Sequence, residues 1–246
     1  MKRLALLLVA LAPFALTAQE TSSTLSKAGI EGREIAANLL AMQPVEAETN
    51  LAILEIRSKM ARTEIPLRIA VNVTPTHWTT TYMANPDNQT EESCLKITRK
   101  PSGEAEYLLS TSQGGTNHVC KLSGAETMVP FAGTDFWVAD LGMEFLRWPS
   151  QTLLKKELRR GQSCNKLESI APPGWTNGYV RVVGWYDIDT GGPVLVWAYD
   201  ANGKRLKEFK PNEFKKVNGE WQVEEMEISN SRTGSRTTLR FQLDRQ

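Results

Sequence analysis

The chain has 246 residues, of which 41% are hydrophobic and 23% charged, enough to bury one large core or two small ones. Its 29 Lys and Arg stand against 28 Asp and Glu. That balance argues against a broadly basic nucleic-acid surface and against a polybasic membrane anchor. The apolar content argues against disorder, and three cysteines are too few for a disulfide scaffold.

The first segment reads as an address. Met1-Lys2-Arg3 is a positive n-region, Leu4 to Leu16 is almost wholly apolar, and Ala18 offers a small residue before Gln19. The apolar run is short for a bilayer span. A signal peptide over residues 1–18, cleaved near Ala18, is therefore expected, leaving a single domain over 19–246 in the periplasm. Losing Lys2 and Arg3 moves the formal charge from +1 to −1. No Cys follows the cleavage site, so no lipid anchor is expected on the mature chain. Export would put Cys94, Cys120 and Cys164 in an oxidising space. A Cys94–Cys120 bond is one of three possible pairings, and Cys164 in Ser163–Leu167 reads as a small buried hydrophobe.

Ser26 can cap a helix running to about Met42, with Ile35, Leu39 and Met42 on one face and Pro44 as its stop. Gly29 and Gly32 weaken its first turns. The pattern then turns to strand. Leu51–Ile56 and Ile65–Val73 read as a hairpin, and His77–Met83, Cys94–Thr98 and Glu106–Leu109 as short strands between turns. Met128–Trp148 interrupts them with five aromatic residues, Gly133 and Gly142 as hinges, and Trp137, Leu141 and Phe145 at helical spacing. Strands resume from Thr152 to Leu243, separated by turns such as Asn202-Gly203, Asn218-Gly219 and Thr233-Gly234. The total is about eleven strands in one mainly β domain.

Two of these strands are apolar on both faces, Tyr179–Tyr186 and Val194–Tyr199. A sheet half-exposed to water would alternate, so both faces need cover, and two helical pieces supply little of it. A sheet that curls upon itself meets the need. Its interior would be either packed solid or open to an apolar ligand.

Catalytic motifs are absent. The two histidines, His77 and His118, have no nucleophile elbow beside them. There is no zinc-protease motif, P-loop or dinucleotide fingerprint. Asp187–Gly192 starts like a Ca²⁺ loop but has Ala198 where the bidentate Glu belongs. No enzyme, cofactor or metal is expected.

Gly133-Thr134-Asp135-Phe136-Trp137-Val138-Ala139-Asp140-Leu141 resembles a G-[ST]-D-F-x-x-x-D-L signature of outer-membrane lipoprotein-sorting proteins, in the LolA/LolB-like superfamily. Trp185–Pro193, Tyr199–Lys204, Phe214–Trp221 and Met226–Thr237 fit the same pattern in the same order. The resemblance implies an unclosed antiparallel β-barrel with an N-terminal helix and a short helical lid over an apolar groove. It also implies a non-catalytic carrier of lipid or lipoprotein acyl chains. Its partners would be those chains, with an envelope membrane protein as donor or acceptor and no nucleic acid, the carrier itself being a monomer. A lipoprotein sensor or protein-interaction module of the same fold is the alternative.

On that basis Phe136, Trp137, Leu141 and Phe145 are candidates for the lid. Ile53, Ile56, Trp78, Tyr82, Val183, Trp185, Val196 and Trp197 are candidates for the groove lining, each equally readable as ordinary core. Arg57, Arg62 and Arg68 are candidates for a gating cation.

Overall fold

The computed structural model describes residues 26–88, 90–113, 116–217 and 219–243. The expected signal peptide lies outside them. Helix α1 (Lys27–Ala41) starts where the sequence says it should: Ser26 is the N-cap, and its side chain accepts from the Gly29 amide at 3.1 Å. The buried face differs from the expected one. It consists of Gly29, Gly32, Ala36 and Leu40, and a Cβ on Gly32 would stand 2.7 Å from the backbone of Thr152 and Leu153. The glycines that weaken the helix in isolation let it lie directly on a strand.

Thirteen strands follow: β1 (Glu48–Arg57), β2 (Arg62–Val73), β3 (Trp78–Ala84), β4 (Ser93–Arg99), β5 (Ala105–Gln113), β6 (Thr116–Leu122), β7 (Ser150–Arg159), β8 (Gln162–Ile170), β9 (Arg181–Asp187), β10 (Pro193–Tyr199), β11 (Arg205–Val217), β12 (Glu220–Asn230) and β13 (Ser235–Phe241). They form one antiparallel sheet in the order β6-β5-β4-β3-β2-β1-β13-β12-β11-β10-β9-β8-β7. The chain enters at the middle with β1 and meanders out to the β6 edge. It then crosses to the β7 edge and meanders back until β13 pairs with β1. No hydrogen bonds join β6 to β7 among the described residues, so the barrel is unclosed, as expected. The strand that the sequence reading did not place is β6, whose residues are exposed apart from Leu122. An edge strand with no buried face has no alternation to read.

The crossover, residues 123–149, carries two short 3₁₀ turns (Gly124–Thr127 and Glu144–Arg147) around helix α2 (Val138–Gly142). It lies on the concave face. Phe131, Phe136 and Val138 pack against Leu54, Leu67, Leu95, Ile97 and Leu239, while Trp137, Phe145 and Trp148 pack with Tyr179, Val182 and Val196. A second apolar layer covers the convex face, where Cys164, Val183, Trp185, Val194 and Leu195 cluster with Trp197. This explains the strands that are apolar on both sides.

All three cysteines are free. Cys94 pairs with Ser110 and Cys120 with Leu109, so β5 lies between them and their side chains leave opposite faces. Two strand spacings, roughly 9–10 Å, exceed what a disulfide can bridge. The candidate Cys94–Cys120 bond is not made. Cys164 is fully buried, as expected.

Candidate functional site: an apolar cavity beneath the crossover

Between the concave face and the crossover lies a cavity of about 370 Å³, within the ~300–1,000 Å³ common for small-molecule sites. Alternate residues of eight strands line it. Ile69, Val71 and Tyr82 come from β2 and β3, Val182 and Tyr186 from β9, Val196 and Ala198 from β10, and Phe209, Met226, Ile228, Leu239 and Phe241 from β11 to β13. Laid flat, β3 and β9 would stand seven spacings, ~34 Å, apart. Tyr82 and Tyr186 nonetheless face one space, so the sheet curls around it.

Phe136, Leu141, Met143 and Phe145 of the crossover form the roof. The rim is at the end where β1 begins, with Glu48 exposed and Asn50, Met143 and Pro193 half-buried. The opposite end is shut by polar groups, and these give the signature segment its physical meaning. The Thr134 hydroxyl donates to the Phe131 carbonyl at 2.8 Å and accepts from the Phe136 amide, closing a turn in which Gly133 takes φ +70°. Asp135 accepts from Ser235 at 2.7 Å and Thr237 at 3.0 Å, pinning the segment to β13. Asp140 caps α2 by accepting from the Trp137 amide at 2.8 Å, and takes the Tyr179 hydroxyl at 2.8 Å and Lys207 Nζ at 2.6 Å.

Lys207 is 2% exposed. Its ammonium also donates to the Asp135 carbonyl at 2.8 Å and sits 3.5 Å from the centre of the Trp137 ring, a cation–π contact in a desolvated place. Burial pulls its pKa down to about 8 against the opposing pull of Asp140. Trp137 in turn stacks on Tyr179, with ring centres 5.8 Å apart and planes 7° from parallel.

The other end of the crossover is held as firmly. Arg99 donates to the Leu141 carbonyl at 3.0 Å and Arg147 to that of Gly142 at 2.9 Å. Tyr107 donates to Glu144 at 2.8 Å, and burial raises the Glu144 pKa. A Cβ on Gly142 would lie 2.3 Å from the Tyr107 ring, so this glycine serves a close approach. The left-handed bend comes one residue later, at Met143 with φ 50°. That bend ends the helix short of Phe145.

The expected lining residues divide by face. Tyr82 and Val196 line the cavity. Ile56 and Trp78 are on its side of the sheet by alternation with Leu54 and Thr80 but fall outside the lining. Ile53, Val183, Trp185 and Trp197 are corrections: alternation puts them on the convex face. There Trp185 and Trp197 meet edge-to-face at 4.7 Å with Arg159 against both rings. Both faces of β9 and β10 are apolar, so sequence offered no sign of which was inner. Among the expected lid residues, Phe136, Leu141 and Phe145 face the cavity, while Trp137 turns away onto Tyr179. Arg57, Arg62 and Arg68 lie on the outer face or exposed. The cation at the cavity is Lys207, which sequence reading missed because it stands in an ordinary-looking Arg-Leu-Lys-Glu strand.

His77 bonds locally to Thr74 and Thr76, and His118 is exposed on β6. Among the described residues no three His, Cys, Asp or Glu are grouped to hold a metal, and no helix is long and apolar enough to cross a membrane.

The curled sheet, the pinned crossover and the apolar space between them define a LolA-like open barrel. Solved structures share the fold, and three of them are similar over most of the chain. One is a domain assigned to outer-membrane lipoprotein sorting from Vibrio parahaemolyticus (TM-score 0.70, 20% identity, 87% of this chain and 91% of that one). Another is a DUF1329 family protein from Desulfovibrio piger (0.69, 16%, 88% and 92%). The third is a LolA superfamily protein from Nitrosomonas europaea (0.56, 14%, 88% and 92%). No curated protein matches the sequence. The chain belongs to the family whose model, described as "Uncharacterized protein", matches residues 76–244.

Proposed function

We propose that the protein is a non-catalytic periplasmic carrier, a single domain over 19–246 after signal-peptide removal, that takes up an acyl chain of a lipid or lipoprotein. The observation that carries this reading is the apolar cavity of about 370 Å³ under the crossover, open at one end and shut at the other. Similarity to a lipoprotein-sorting domain and to a LolA superfamily protein supports it.

The thermodynamics need no chemistry. Each methylene moved from water into such a space contributes about 0.8 kcal/mol, so a few methylenes hold a ligand and release follows when an acceptor offers more burial. Tyr82, Val196, Phe136, Leu141 and Phe145 are the proposed contacts. The pinned centre of the crossover leaves entry to the rim at Asn50, Met143 and Pro193, so the segment works as a fixed roof and not as a swinging lid.

Native mass spectrometry of the protein drawn from its own cell envelope tests this. Co-purified lipid or acylated protein is the expected result. An empty protein that also fails to take up a fluorescent dodecanoyl probe would end the carrier reading, and a stoichiometric unacylated protein would favour an interaction module.

A further inference from the structure

A second cleft, of about 510 Å³, lies beyond the shut end of the cavity, where the β1–β2, β10–β11 and β12–β13 turns come together. Lys207 and Ser235 line the wall on the cavity's side. Arg57, Lys59, Arg205 and Arg236 line the cleft, with Glu208 its lining carboxylate.

The arginines are set against one another. Arg57 is directly across the ladder from Arg62 on one side and from Arg236 on the other, and like charges in such positions repel. Carboxylates one row behind relieve part of this. Glu55 takes Arg57 and, at 2.8 Å, Arg62, while Arg236 reaches Glu227 only at 3.8 Å. Nothing offsets Lys59, which has no ion-pair or hydrogen-bond partner for its ammonium among the described residues and lies over the β12–β13 turn beside Gly234. Ser229, opposite Arg236, likewise carries a hydroxyl with no partner among the described residues. Arg205 is held by Glu208 at 3.0 Å, so the charge left over is that of Lys59 and the loosely paired Arg236, and a free ammonium, a guanidinium fork and a free hydroxyl converge on one hollow. That donor set suits an oxyanion with several acceptor oxygens.

We propose that this cleft is a phosphate-binding site, separate from the apolar cavity and filled by a phosphate group, either a free phosphate or that of a lipid headgroup. It leaves the acyl-carrier reading untouched, since the cleft opens beyond the shut end, opposite the cavity's rim.

The test is calorimetric titration of the intact protein with inorganic phosphate at low ionic strength. A parallel arm sediments the protein with vesicles of phosphatidylglycerol or phosphatidylcholine. The Lys59→Ser, Arg236→Gln double variant removes two cleft cations that are exposed in the fold. Lys96→Ser with Lys156→Ser removes two exposed cations elsewhere as a control of equal charge. Saturable binding weakened at least tenfold in the cleft variant and under twofold in the control supports the site. Binding to inorganic phosphate assigns the free ion, and binding to phosphatidylglycerol vesicles alone assigns the headgroup. No saturable binding in either arm, or equal losses in both variants, overturns it. Dodecanoyl-probe affinity stays unchanged in both variants whichever way the carrier reading falls.

Discussion

Replacing Lys207 with Met isolates the bond that seals the cavity's inner end. The ammonium is 2% exposed and spans Asp140 at 2.6 Å and the Asp135 carbonyl at 2.8 Å. Met preserves most of the aliphatic bulk against Trp137, so the loss is electrostatic. It leaves Asp140 in an interior place with its charge uncompensated, and breaking a buried pair from one side costs about 3–5 kcal/mol. Asp140→Asn added to Lys207→Met removes the stranded charge while keeping a side-chain acceptor for the Trp137 amide, and should recover most of that loss.

Urea unfolding at pH 7 supplies the double-mutant cycle, with a coupling of about 2 kcal/mol or more expected. Single and double variants that add without coupling, or a Lys207→Met protein within about 1 kcal/mol of the parent, would refute the idea that this pair holds the crossover. The pH dependence has a sign. With Lys207 at about 8 in the folded chain and 10.5 in the unfolded one, the unfolded state holds the extra proton between those values. Stability relative to Lys207→Met therefore rises with pH across about 8 to 10.5.

Gly142→Ala forces a Cβ to within 2.3 Å of the Tyr107 ring; a loss of about 1–3 kcal/mol in thermal unfolding is expected, and a neutral result would remove the close approach from the account. Trp197→Ala, on the convex face, should lower stability by up to about 3 kcal/mol yet leave dodecanoyl-probe affinity within twofold; a large affinity loss would return Trp197 to the lining. A thiol reagent should modify exposed Cys120 first, half-buried Cys94 more slowly, and Cys164 only on unfolding, because burial raises the pKa of the last two. Mass-resolved labelling that gives another order would contradict the arrangement of β4, β6 and β8.

What sequence disclosed follows what leaves a pattern in it. The Ser26 cap, the Pro44 stop and the Asn202-Gly203 turn are local chemistry and fall where the sequence puts them. The signature segment was recognisable before its purpose was: Asp135 reaches β13 and Asp140 reaches β11, contacts that spacing along the chain does not encode. The inner and outer faces of β9 and β10 were indistinguishable because both are covered, one by the crossover and the other by the Trp185–Trp197 cluster. The buried face of α1 was misread for a related reason. Apolar periodicity favoured Ile35 and Leu39, whereas close approach to β7 favoured Gly32 and Ala36.

The most direct trial of the central claim is to fill the cavity and measure what it then binds. Val196 lies on β10 opposite Phe209 and lines the space, so Val196→Trp would put an indole where a chain should lie. Excluding four methylenes at about 0.8 kcal/mol each costs roughly 3 kcal/mol, more than 100-fold in Kd. The prediction is that fluorescence titration with the dodecanoyl probe shows that loss while the far-ultraviolet spectrum and cooperative unfolding persist. A folded Val196→Trp protein that binds the probe as tightly as the parent would contradict it.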